Sequence, residues 1–142
     1  MPVRRILPTE APALLAVGYR YVDVRSVPEF EAGHAEGAYN VPLMHMVPGR
    51  GMTPNPDFAA TVERHFARDD KLLFGCKSGG RSNRAAELIA GLGYTDVIDL
   101  RGGFDGESDA SGRVTVPGWK AAGLPVTTAA PLERTWAGLL VK

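Results

Sequence analysis

The residues best suited to chemistry sit together in "LLFGCKSGGRSNRAAELIAG", residues 72–91, which holds the only cysteine of the chain, Cys76. An apolar run ends in the cysteine, a glycine-rich cationic loop follows, and a helical pattern begins. Three familiar uses of such a loop fail on residue type. Gly75, Gly80, Arg81 and Ser82 approach the GxxxxGK[ST] nucleotide pattern, but Arg81 stands where a compact lysine ammonium must reach the outer phosphates. A phosphate-ester loop built on cysteine needs arginine six positions after the nucleophile. Position 82 is serine, and Arg81 arrives one residue early, which leaves the loop one residue too small for a tetrahedral oxyanion. A metal site is set aside because zinc takes about four ligands and the loop offers one thiol with no histidine or second cysteine nearby.

What remains is a loop sized around the sulfur of Cys76. Between strand and helix, the amides from Lys77 through Ser78, Gly79, Gly80 and Arg81 to Ser82 can curl inward, and the helix N-terminus points at the same place. Favouring a thiolate a hundredfold takes about 2.7 kcal/mol. A helix terminus gives only ~0.3–1 kcal/mol, whereas hydrogen bonds to a charged acceptor give ~1.5–3 kcal/mol each. Several inward amides, aided by Lys77 and Arg81, therefore suffice without a histidine base. The reading predicts a reactive Cys76 as the catalytic residue, with Lys77, Ser78, Gly79, Gly80, Arg81 and Ser82 binding an anionic substrate, no cofactor and no metal.

Other chemistry-bearing residues read as structural. Asp23 and Arg25 are expected to form an ion pair at a strand end, and Glu29, His34 and Asn40 to hydrogen-bond the connection between two strands. Met44 and Met46 of "MHM" read as packing residues, with His45 exposed or at a pocket mouth. Trp119 and Trp136 read as packing, and His65, on a helix among charged neighbours, as solvated.

The elements that must position the loop follow from the pattern on either side of it. "TEAPALLAVG" reads as a short helix closed by Gly18, "YRYVDV" (19–24) as a buried strand, and "VPEFEAG" as a helical turn from Pro28 to Gly33. "AYNVPL" (38–43) reads as a short strand, and "VPGRGMTPNP" as turn chemistry throughout, a surface loop. Asn55 and Pro56 are expected to open the helix "DFAATVERHFA". "KLLFG" and "TDVIDL" read as strands around the helix "SNRAAELIAGLG". Strands separated by such helices imply an α/β fold with a parallel sheet covered on both faces.

At 142 residues, with 44% hydrophobic content, 17 glycines and 11 prolines, the chain is expected to fold as one turn-rich domain. Sixteen basic and sixteen acidic residues cancel, so no bulk attraction to nucleic acid or to a membrane is expected. The N-terminal residues lack the apolar run of a signal peptide, and no stretch reaches the roughly 18 apolar residues of a membrane span. A cytoplasmic location is the expectation.

"DVRSVPEFEAGHAEGAYNVP" (23–42), "CKSGGRS" (76–82), "LRGGF" (100–104) and "GWKAAGLPV" (118–126) resemble the rhodanese, or sulfurtransferase, family of single-domain proteins. The resemblance runs from about residue 6 to 126. It implies a five-stranded parallel sheet flanked by helices, a rhodanese-like domain over 1–126, and a C-terminal extension over 127–142, docked or flexible. It also implies that Cys76 takes a sulfane sulfur from thiosulfate or a persulfide donor and passes it to cyanide or a thiol, either a small molecule or a thioredoxin-like protein. A binding or redox-sensing module using Cys76 stays open as the alternative, and a phosphatase or arsenate reductase comes third. One departure stands out: the family brings its tryptophan soon after the paired glycines, while here "DGESDASGRVTVP" (105–117) intervenes before Trp119.

Overall fold

The computed structural model describes residues 3–78 and 80–141. Its centre is a five-stranded, all-parallel sheet in the order Arg4–Ile6, Val97–Leu100, Leu72–Gly75, Arg20–Asp23, Tyr39–Asn40. The strand Leu72–Gly75, which leads directly into Cys76, is thus the middle one, covered on both faces and paired on both edges. Its register sets Leu73 beside Tyr21 and Ile98, and Phe74 beside Val22 and Asp99.

Side chains alternate across a strand, and here the alternation divides two cores. Val22, Leu72, Phe74 and Val97 pack on one face with Phe58, Val62 and Phe66 of the helix Phe58–His65 and its end, and with Ala85, Ala86 and Ile89 of the helix Gly80–Gly91. Tyr21, Leu73, Ile98 and Leu100 pack on the other with Ala11 and Leu14 of the helix Ala11–Ala16, Phe30 of the helix Val27–Ala32, Phe104 and Trp119. Helices on both faces and a five-stranded parallel sheet agree with the sequence reading.

Local chemistry explains most element ends. Ser26 caps Val27–Ala32 in a capping box, with the Glu29 carboxylate accepting from the Ser26 N–H and hydroxyl at 3.0 and 2.8 Å. Asn55 does not cap a helix directly. Its side chain accepts from the Asp57 N–H at 2.9 Å, an Asx turn, and the helix starts at Phe58. The stretch read as a loop throughout is a β-hairpin: Met44–Val47 pairs antiparallel with Gly51–Pro54, and only residues 48–50 turn. Pro48, Gly49 and Gly51 dominate the local composition and mask two short strands that their own turn joins. Met46 is half-exposed in it rather than packed, while Met44 is partly buried.

The chain after Trp119 returns to the body. Val126–Thr127 pairs antiparallel with His34–Ala35. Beyond it a 3₁₀ turn, Leu132–Arg134, leads to the helix Trp136–Leu140, which Thr135 caps by accepting from the Gly138 N–H. Leu139 is buried in the first core. Its carbonyl accepts from Arg64 at 3.1 Å and bonds His65 Nε2 at 2.7 Å, so His65 is a half-buried docking residue and not a solvated one. No helix among the described residues is long and apolar enough to cross a membrane.

Leu139→Ala is expected to cost about 2–4 kcal/mol, since it empties a closed site between two helices. Urea denaturation followed by circular dichroism measures this, and a loss below about 0.5 kcal/mol would mean that the terminal helix only rests on the surface.

Candidate functional site

Cys76 follows directly on the middle strand, at the carboxyl edge of the sheet where open α/β folds bind their ligands. Two backbone hydrogen bonds hold its loop from below: the Cys76 carbonyl accepts from the Phe104 N–H at 2.7 Å, and the Lys77 carbonyl from the Asp105 N–H at 2.8 Å. Such contact demands glycine at 103. Its φ is +55°, and a Cβ there would overlap the Cys76 carbonyl oxygen. Gly75 is confined by a side chain instead, because a Cβ there would collide with the Tyr21 ring and hydroxyl. Trp119 secures the underside, its N–H donating to Gly103 O at 2.8 Å, its indole N–H to Pro125 O at 2.7 Å, and its ring meeting Tyr21 edge-on.

The cysteine itself is buried, 1% exposed, with Sγ 3.4 Å from the Ser82 hydroxyl. Lys77, Ser78 and Gly80 are exposed around it, and Gly79 lies outside the described residues. Ser82 donates in turn to Asp99 Oδ1 at 2.5 Å, while Asp99 Oδ2 accepts from Arg5 Nε at 2.8 Å and Asn83 Nδ2 at 3.4 Å. Burial raises the Asp99 carboxyl above its ordinary range, against the pull of Ser82, Arg5 and Asn83. The sequence reading passed over Asp99 and Arg5. A lone acid inside the buried "VIDL" run was the available signal, because a carboxylate at a fully buried position needs partners.

The expected ion pair between Asp23 and Arg25 is present and buried, with Arg25 Nη2 2.7 Å from Asp23 Oδ2. Arg25 also donates to Gly33 O at 2.8 Å and lies over the Phe104 ring at 4.4 Å. Asn40 donates to the carbonyls of Asp23 and Arg25, and His34 bonds Phe30 O through Nδ1. Asn40 and His34 thus hydrogen-bond the strand-to-strand connection as anticipated. Glu29 does more than that: beyond its cap it holds Arg81 in a two-point salt bridge, at 2.8 and 3.0 Å. Arg81 is therefore tied to the Val27–Ala32 helix, and the loop's cationic side is braced from a second element.

Beside the loop lies a cleft of about 230 Å³ lined by Arg25, Glu29, Gly33, Lys77, Phe104 and Lys120, among others. Lys77 and the Lys120 ammonium, 3.7 Å from Asp105, place cations at its rim. The 105–117 stretch, distinctive in the sequence, is a small hairpin of Glu107–Ser108 against Val114–Val116. Asp109 organises its tip by accepting from Ser111 and Arg113 N–H groups, both at 3.0 Å.

A parallel sheet that delivers one cysteine into a short loop at a helix N-terminus, next to a cleft lined by charged residues of both signs, defines an α/β protein with a lone thiol at the carboxyl edge of its sheet. Comparison with known proteins narrows the class. Residues 7–109 match the rhodanese-like domain, and the chain belongs to that family. It is 47% identical over 96 residues to thiosulfate sulfurtransferase 16, chloroplastic, of Arabidopsis thaliana, covering 68% of this chain and 79% of that protein. It is 41% identical over 103 residues to senescence-associated protein DIN1 of Raphanus sativus, covering 69% of this chain but only 56% of the relative's length. The crystal structure of Rv0390 from M. tuberculosis superimposes with a TM-score of 0.75 at 29% identity, over 91% of this chain and all of that one.

The Glu29 carboxyl carries a pH signature. Burial alone would raise it, but Arg81 and the Ser26 N–H and hydroxyl together outweigh burial and lower it from 4.5 to about 2. A carboxyl depressed on folding stabilises the protein above its unfolded value and loses that contribution as pH falls through the folded one. Glu29→Gln is therefore expected to lower stability by about 1 kcal/mol near pH 7. Its deficit relative to wild type should close between pH 4.5 and about 2. Denaturant melts at several pH values read this directly, and a pH-independent deficit contradicts it.

Proposed function

We propose that this chain is a sulfurtransferase that moves a sulfane sulfur from thiosulfate, or a low-molecular-weight persulfide, through a Cys76 persulfide to a thiol or cyanide acceptor. The observation that carries the reading is the setting of Cys76: the chain's lone thiol, directly after the middle strand, in a loop tied down on one side by Phe104 and Asp105 and on the other by the Glu29–Arg81 bridge. Family membership and the similarity to a named thiosulfate sulfurtransferase support it.

In the first step the Cys76 thiolate attacks the outer sulfur of thiosulfate, and the electron pair of the breaking S–S bond leaves with sulfite. The loop amides from Lys77 to Ser82 stabilise the persulfide anion, which needs no separate base or metal once formed. In the second step an acceptor thiolate, on a small molecule or a thioredoxin-like protein, attacks the outer sulfur and releases the Cys76 thiolate. Lys77 and Lys120 draw an anionic donor to the cleft. Cys76 is 1% exposed, so attack on the donor requires its surroundings to open.

Incubation with thiosulfate should add one sulfur atom to Cys76 by mass spectrometry, and initial-rate plots should be parallel, as double displacement requires. Cys76→Ser should abolish transfer while its melting curve stays close to wild type. Transfer surviving in the serine variant removes Cys76 from the mechanism, and added oxygen without added sulfur favours a redox-sensing role.

A further inference from the structure

The thiol, the Ser82 hydroxyl and the Asp99 carboxylate form a continuous line from the surface loop into the sheet: Sγ to Oγ at 3.4 Å, Oγ to Oδ1 at 2.5 Å. Oxygen separations near 2.5 Å characterise a hydroxyl donating to a carboxylate. With its own proton directed at Asp99 Oδ1, Ser82 presents a lone pair to Cys76, the arrangement needed to receive the S–H.

We propose that Ser82 and Asp99 take the proton of Cys76: the thiol proton passes to Ser82 Oγ as the Ser82 proton passes to Asp99 Oδ1, leaving thiolate at Cys76 and a neutral carboxylic acid at Asp99. Two O–H bonds form as one S–H and one O–H break, and no charge leaves the trio. The proposal rests on the sulfurtransferase reading for its purpose, since a thiolate is what attacks the donor. It goes beyond that reading by giving the proton a destination. Ser82 touches the reacting sulfur and is a catalytic residue; Asp99 acts through it and is a positioning residue.

The surroundings favour such an exchange. Asp99 is fully buried, and its carboxyl is raised by that burial, so it can hold a proton. Arg5, from the edge strand, pairs with the opposite oxygen Oδ2 and leaves Oδ1 to Ser82. Asn83 also donates to Oδ2, from the same helix as Ser82. The Tyr21 hydroxyl is kept neutral by burial, and the nearby Asp23 carboxylate is engaged by Arg25 at 2.7 Å. Arg81 lies within electrostatic range of Cys76, its guanidinium held by Glu29. The transfer is internal, so it costs no exchange of charge with solvent at a buried site.

Alkylation of Cys76 by iodoacetamide across about pH 5–9 tests the relay, because the chain has no second cysteine to confuse the reading. In the wild type the trio keeps the same two protons in either form, so the rate should level to a plateau below neutrality and fall only when Asp99 takes a further proton from solvent. In Ser82→Ala and Asp99→Asn the plateau should vanish and the rate follow a single thiol ionisation, falling about 10²-fold near pH 6, the low end of what a positioned base contributes. Ser82→Thr should restore the plateau, which a merely structural serine would not require. Ser82→Ala keeps the Arg5–Asp99 pair, so a misfolded Asp99→Asn does not remove the test. A wild-type profile with one thiol ionisation, or a plateau that persists in Ser82→Ala, overturns the relay. Persulfidation of the same samples separates the two ideas: sulfur transfer without a plateau rejects the relay alone, and a plateau without sulfur transfer rejects the sulfurtransferase reading alone.

Discussion

The close crossing of two backbones, Gly103 against the Cys76 carbonyl, is the constraint on which the site depends. It lets Phe104 and Asp105 donate into the carbonyls of Cys76 and Lys77, and so decides the direction from which the loop leaves the sheet. The same approach delivers the Phe104 ring to the cleft wall, where the Arg25 guanidinium lies over it, and sets the carbonyl that Trp119 reads. Removing any Cβ at 103 is a small chemical concession, yet three elements distant in sequence are registered by it. Loop geometry at the centre of a parallel sheet is thereby fixed from outside the loop.

A second organising feature is that charge at this edge of the sheet is compensated residue by residue. Asp23 belongs to Arg25, Glu29 to Arg81, and Asp99 to Arg5, each across a distance of 2.7–2.8 Å. A chain with zero net charge can thus hold a dense set of ionised groups around one sulfur without a strong field of either sign. Pairs that are partly or fully desolvated fix geometry more than they add stability. Here they brace a strand end, a loop and the inner acid against separate elements.

How much of this could be read beforehand divides by range. Elements specified by their own residues were legible: the apolar strands around Val22 and Leu73, the proline-led helix at Pro28, the helix after the cysteine, and hence the parallel sheet. The pair Asp23 and Arg25 was legible because its members are two residues apart. The hairpin over residues 44–54 was not, since turn formers outnumber strand formers in it and its pairing is a property of both arms together. His65 looked solvated from its helical neighbours, but its partner carbonyl is 74 residues away. Asp99 and Arg5 were missed for the same reason: Arg5 is 94 residues distant in sequence and meets the acid only because their strands are neighbours in the sheet.

The neck of the 105–117 hairpin has a consequence for what the fold can tolerate. A Cβ on Gly118 would strike the Gly106 backbone, and one on Gly106 would strike the Val116 carbonyl, so the hairpin enters and leaves the body at nearly one point. A loop whose ends are already clasped costs only about 0.6 kcal/mol more for each doubling of its length. Residues 108–115, all exposed, form an appendage on a clasped base, able to grow, shrink or carry a foreign peptide while the loop of Cys76 keeps its shape.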